Sequence, residues 1–137
     1  MQKINDINSA FEELYPIQRS LLGDEFDLSI KLLENGFEFD KNYFKSGTKV
    51  FDWTVPKGWK LKKMCLTDKS GRVIWSNEMS NLGTIFHSSS FKGWISGADL
   101  RSKMHISNTL PESVPYKTAY YTDEWGLCVP KRIKTSI

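Results

Sequence analysis

Apolar residues recur with helical spacing only at the start of the chain. Ile7, Ala10, Phe11 and Leu14 fall at i, i+3, i+4 and i+7, which puts them on one face of a helix. Asn5, Asp6 or Asn8 can cap its start, and Ser9 with Glu12 has the spacing of a capping box. Pro16 ends it, because the residue before a proline disfavours helical backbone. A short helical turn is expected from Gln18 to Leu22, closed by Gly23. A second helix is expected over Asp24–Glu34. Phe26, Ile30 and Leu33 share its face, and Asp24, Glu25 and Asp27 suit the positive end of the helix dipole. Asn35-Gly36 is a stop signal.

The period changes to two at Phe37, where Phe37 and Phe39 alternate with Glu38 and Asp40. Lys49–Val55 alternates as well, with Phe51, Trp53 and Val55 opposite Val50, Asp52 and Thr54, and predicts a half-buried strand. Further strands are expected over Trp59–Thr67, Arg72–Trp75, Leu82–His87, Lys117–Thr122 and Gly126–Val129. Asp68-Lys69-Ser70-Gly71 reads as a hairpin turn, and Val73 and Trp75 should share a face. Ala98–Met104 reads as a short helix, and Pro130 with the basic tail as the chain's end. These elements predict an α+β protein. A helical lead, residues 1–36, precedes a mostly antiparallel β-rich domain, residues 37–137, built as a sandwich or a curled sheet.

Composition narrows the reading. The 137 residues suffice for one modest domain, and the aromatic share of 13% favours a compact core or an aromatic-lined face. A net charge of +3 is mild, and the one dense basic cluster, Lys131, Arg132 and Lys134, reads as a solvated end. No nucleic-acid or membrane partner is expected, and no apolar run is long enough to span a bilayer. The cytoplasm is the expected compartment. Cys65 and Cys128 lack metal-ligand spacing, so two buried thiols are expected rather than a bridge or a zinc site.

Candidate chemistry is sparse. No nucleophile motif, metal-binding helix motif or phosphate loop is present, so no catalytic or metal-ligating residue is assigned. His87 and His105 read as packed or surface histidines, and Asp52 as a carboxylate facing water. Arg19, after the Pro16 break, suits either a bidentate contact to a ligand carboxylate or a bond that fastens the helix junction. Tyr120, Tyr121 and Trp125 lie in an aromatic-rich stretch beside Gly126. They can line a ligand site or pack in a core.

Several blocks together resemble a bacterial family of zinc-aminopeptidase-like proteins that carry an inserted domain of unknown function. Its genes often accompany surface-polysaccharide biosynthesis. The matching residues are Leu14 to Gly23, Ser46 to Pro56 with Trp59, Ser80-Asn81-Leu82, Thr109-Leu110-Pro111, and Val114-Pro115-Tyr116 through Tyr120-Tyr121 to Trp125-Gly126-Leu127-Cys128. The resemblance spans nearly the whole chain. It implies that the leading helices belong to a peptidase domain and that the β-rich stretch is the insert. The parent activity it implies is metal-dependent removal of an N-terminal residue, or a related amide hydrolysis. The zinc ligands of that family lie downstream of these blocks, so no cofactor is expected in this chain.

Gly83 departs from the pattern, since the family tends to carry a histidine there, and Ser88–Ser107 fits it weakly. The expectation is therefore a truncated or stand-alone N-terminal portion without catalysis of its own. The alternative is an aromatic-faced module that binds a glycan or a peptide. Partners expected on these readings are the remaining peptidase domain, or a peptide or glycan ligand.

Overall fold

A computed structural model describes residues 7–137, so the cap candidates Asn5 and Asp6 lie outside the described residues. The chain forms two compact units, one ending at Lys60 and the other running Leu61–Ile137. The architecture is α+β, as the periodicities predict.

In the first unit, helix α1 covers Ile7–Leu14 and helix α2 covers Asp24–Leu33, side by side. Asn8 and Ser9 lie inside α1, so neither caps it. The expected helical turn over Gln18–Leu22 is instead irregular chain. Gly23 stands at the N-cap of α2 with φ 125°, a backbone state that favours glycine. A Cβ there would come 2.6 Å from the Trp59 carbonyl oxygen, so the close approach also excludes a side chain. Lys60 Nζ lies 2.9 Å from Asp24 and 3.7 Å from Glu25, and so ties the end of the unit to the acidic first turn of α2.

The expected continuous strand over Lys49–Val55 is a tight hairpin. Strand β1 is Lys49–Val50 and strand β2 is Trp53–Thr54, paired antiparallel with Val50 opposite Trp53. Phe51 and Asp52 make a two-residue tip, and Phe51 takes φ 51°. A hairpin loop of two residues needs such positive φ to match strand twist. Asp52 is exposed, as expected, but through its place at the tip rather than through strand alternation.

The second unit opens with a hairpin of β3, Cys65–Thr67, and β4, Val73–Ser76. Asp68 builds its turn by accepting from Ser70 N (2.9 Å), Ser70 Oγ (2.6 Å) and Arg72 N (3.0 Å), and Gly71 supplies φ 84°. Leu66 faces Trp75 but Thr67 faces Val73, which leaves Ile74 as an extra residue. That bulge separates two residues expected on one face: Trp75 is buried and Val73 is exposed.

Helix α3, Gly97–Ser102, leads into β5, Met104–His105, which pairs parallel with β6, Leu127–Cys128. The residues 83–85 bond to the chain around β6: Ile85 N donates to Gly126 O (3.1 Å) and Cys128 N to Gly83 O (3.1 Å). Among the described residues the expected sandwich or curled sheet is instead three two-stranded ladders, two antiparallel and one parallel, with isolated bridges from Thr84 to Leu127 and from Phe86 to Thr118.

The basic tail is not a loose end. Residues Lys131–Thr135 form helix α4, whose Ile133 packs on the core while Lys134 Nζ donates to Met104 O at 2.8 Å. The core of this unit gathers Met64, Trp75, Leu100, Met104, Leu127 and Val129, with Ile85, Ala119 and Cys128 as a second cluster. Both thiols are free. Cys128 is buried, but Cys65 is exposed, against the expectation of two buried thiols. Among the described residues no helix is long and apolar enough to cross a membrane.

Candidate functional site

The segment 84–87 decides where the chemistry-bearing side chains meet. Phe86 N donates to Lys117 O and Ala119 N donates to Phe86 O, each at 2.8 Å. Two bonds to one residue lock this segment against 117–119. Phe86 therefore rests on Tyr116, with ring centroids 5.0 Å apart. The next residue, His87, is held at φ 62°, and its ring meets the Tyr120 ring edge-on at 4.6 Å. Tyr116 Oη and Tyr120 Oη stand 3.3 Å apart, and Tyr121 meets Tyr120 edge-on at 6.5 Å. Left-handed backbone at a non-glycine residue costs about 1–3 kcal/mol, and such residues concentrate at functional positions.

The electrostatics of the cluster are neutral. Burial lowers the His87 pKa below the usual imidazole value, which favours the uncharged ring. Burial, helped by the bond to Tyr120, pushes the Tyr116 phenol up to about 12. Tyr116 and Tyr121 remain exposed, while Tyr120 and His87 are half-buried.

The candidate residues do not all converge. Tyr120 and Tyr121 belong to this cluster. Trp125 instead stacks on Phe91 at 4.3 Å, with the rings within 10° of parallel and Lys103 Nζ 5.9 Å from its ring centroid. Arg19 lies in the first unit and donates from its guanidinium to Leu14 O, the bond that fastens the helix junction. Trp75 is core, and its indole N–H donates to Gly83 O at 3.3 Å. Tyr116 lies in the same aromatic-rich stretch as Tyr120, four residues before it. His87 joins them from a distant segment, brought there by the pairing of its neighbour Phe86 with Lys117 and Ala119.

The zinc that the family resemblance implies finds no ligand set among the described residues. Among the described residues no three His, Cys, Asp or Glu side chains converge. His87 faces a phenol ring, and His105 Nε2 lies 3.4 Å from the Lys117 ammonium. At Gly83 a larger residue would require its neighbours, first the Met64 side chain, to shift. A Cβ there would lie 2.4 Å from the Met64 methyl, 3.0 Å from the Trp75 indole nitrogen and 3.1 Å from Ser80 O.

Fold and site together define a small α+β domain with an aromatic cluster on its second unit. The family profile of the domain of unknown function DUF2172 matches residues 58–137, and the chain belongs to that family. A Clostridium acetobutylicum protein, provisionally named a polysaccharide biosynthesis protein with an aminopeptidase-like domain, is 31% identical over 121 residues. The match covers 88% of this chain and 28% of that protein. A crystal structure from the same organism, provisionally described as a peptidase, superposes with a TM-score of 0.86 at 28% identity. It covers 93% of this chain and 30% of the other. The chain thus spans less than a third of the length of the relatives it matches.

Proposed function

We propose that this chain is a non-catalytic N-terminal portion of a metallopeptidase-type, aminopeptidase-like protein. The match over most of this chain and under a third of its relative carries that reading. Helix α1 supports it: its periodic apolar face is sequence-encoded, yet it buries no side chain, and Ile7 is 86% and Phe11 66% exposed. On this reading the helical lead, residues 1–36, completes a peptidase domain, and residues 37–137 form the insert. The catalytic zinc and its ligands then belong to the remaining peptidase domain, which is the partner. Two unbridged thiols, one of them exposed, suit a reducing compartment such as the cytoplasm.

The test is hydrolysis of aminoacyl chromogenic substrates by the isolated chain with added zinc. No turnover is the expected result, and zinc-dependent turnover removes the proposal. Light scattering provides a second check. Self-association that Phe11→Ser abolishes is expected from an uncovered α1 face, and a wild-type monomer at all concentrations counts against it.

A second reading, an aromatic-faced module that binds a glycan or a peptide, is favoured by one observation. Tyr116, Tyr120, Tyr121 and His87 converge on the surface of the second unit. A change in intrinsic fluorescence on titration with glycans or peptides is the expected signature.

A further inference from the structure

Four side chains from two distant segments meet in one place: His87, Tyr116, Tyr120 and Tyr121. Their chemistry is unusually uniform. Each presents an aromatic ring with a polar atom at its edge, and none is a carboxylate, a guanidinium or an ammonium. A peptide N-terminus is bound by carboxylates, and a phosphate or uronate by Arg or Lys. What remains is an uncharged partner with polarised C–H groups for ring faces and hydroxyls for ring edges. Aromatic faces carry negative charge density and attract such C–H groups. The paired Tyr116 and Tyr120 hydroxyls, 3.3 Å apart, can each donate and accept, which suits neighbouring hydroxyls of a ring.

The site is also built rather than casual. Two 2.8 Å backbone bonds fix Phe86 against 117–119, and the Phe86 ring lies beneath Tyr116. His87 sits at φ 62°, a left-handed backbone state that histidine adopts more readily than most non-glycine residues. The structure holds that backbone in place where it sets the imidazole against Tyr120. Preorganised rings lose little conformational entropy on binding.

We infer that His87, Tyr116, Tyr120 and Tyr121 form a subsite for one neutral pyranose ring, stacked on the tyrosine faces and hydrogen-bonded through the Tyr116–Tyr120 hydroxyl pair. The inference deepens the second functional reading and rests on it. It commits that reading to an uncharged sugar and to this place.

The experiment is an amide-shift NMR titration of the full chain with methyl glucoside, methyl galactoside and N-acetylglucosamine. Glucuronate and a neutral tripeptide with a free amine serve as the other arms. At least one neutral sugar is expected to shift the amides of residues 86–88 and 116–121, with weak affinity. Tyr121→Ala, at an exposed position, should weaken binding about three- to tenfold. Tyr120→Phe keeps the ring and the packing and should weaken it by a smaller factor. No response to any neutral sugar at its solubility limit overturns the inference, as does a response that neither variant changes. Stronger binding of glucuronate or the tripeptide overturns the neutral-sugar assignment. Shifts confined to the surroundings of Phe91 and Trp125 would sink this site while leaving the second reading standing.

Discussion

Phe51 shows how much a single residue can hide from sequence reading. Its fully exposed ring sits at a hairpin tip with φ 51°, a state that costs a bulky residue about 1–2 kcal/mol. Phe51→Gly should therefore raise the unfolding free energy by about 1 kcal/mol, read by chemical denaturation, and a loss of stability would contradict the strain. The pattern Val-Phe-Asp-Trp carries none of the Asn-Gly signals of such turns, so alternation alone reads it as a strand. The cysteines differ in the same local way. Burial pushes the Cys128 thiol up to about 11, and Cys65 is exposed. A thiol-specific disulfide reagent should label Cys65 in the folded protein and Cys128 only after unfolding. Rapid labelling of both under native conditions would exclude the buried placement. Asp52 is exposed as expected but for another reason: it shares the hairpin tip with Phe51, and Phe51 and Trp53 are exposed as well. The positive φ of His87 was not legible, because φ is no property of composition.

Elements with self-contained chemistry were legible. Helix α2 follows its acidic first turn and its stop signal almost to the residue. The Asp68 turn follows the preference of Asp, Ser and Gly for tight turns. Its carboxyl lies below the usual 3.8, first because Ser70 Oγ donates to it. Helix α3 is short but capped: Ser96 Oγ accepts from Asp99 N at 3.1 Å and donates to the Asp99 carboxylate at 2.7 Å. Ser96→Ala should cost about 1 kcal/mol of stability in thermal unfolding, and no change would mean that packing at Leu100 alone holds the helix. Helix α4 was missed, because a five-residue segment with three basic side chains has no periodic signal. It forms where Ile133 and Lys134 find the core and the Met104 carbonyl. Strand pairing was legible as propensity only. The β4 bulge at Ile74 and the parallel β5–β6 pair depend on partners far along the chain.

For the whole molecule, titration gives a prediction with a definite sign. Burial holds His87 below the usual 6.5. Burial, then the charge on Lys117, does the same for His105. Unfolded imidazoles take up protons near that value while the folded ones resist, so the unfolded state binds more protons there. Stability contributed by both groups is present above 6.5 and is lost as pH falls through their lower folded values. Asp68 adds a loss of the same sign below 3.8. The denaturation midpoint should therefore drop between about pH 7.5 and pH 5.5. A midpoint that rises on acidification would contradict it, and His87→Gln should shrink the drop.

The sequence by itself determined the two leading helices, the Asp68 turn, the α+β class and the family, because helical periodicity, turn chemistry and motif order are written in neighbouring residues. Tertiary structure alone decided the remainder. It folded the Lys49–Val55 strand at Phe51, put Trp75 in the core and left Arg19 fastening a helix junction. It also set His87 beside Tyr120 while Trp125 went to Phe91. The physical reason is that these outcomes rest on backbone bonds between distant segments, above all Phe86 with Lys117 and Ala119. No local pattern encodes which distant segment a strand edge will meet.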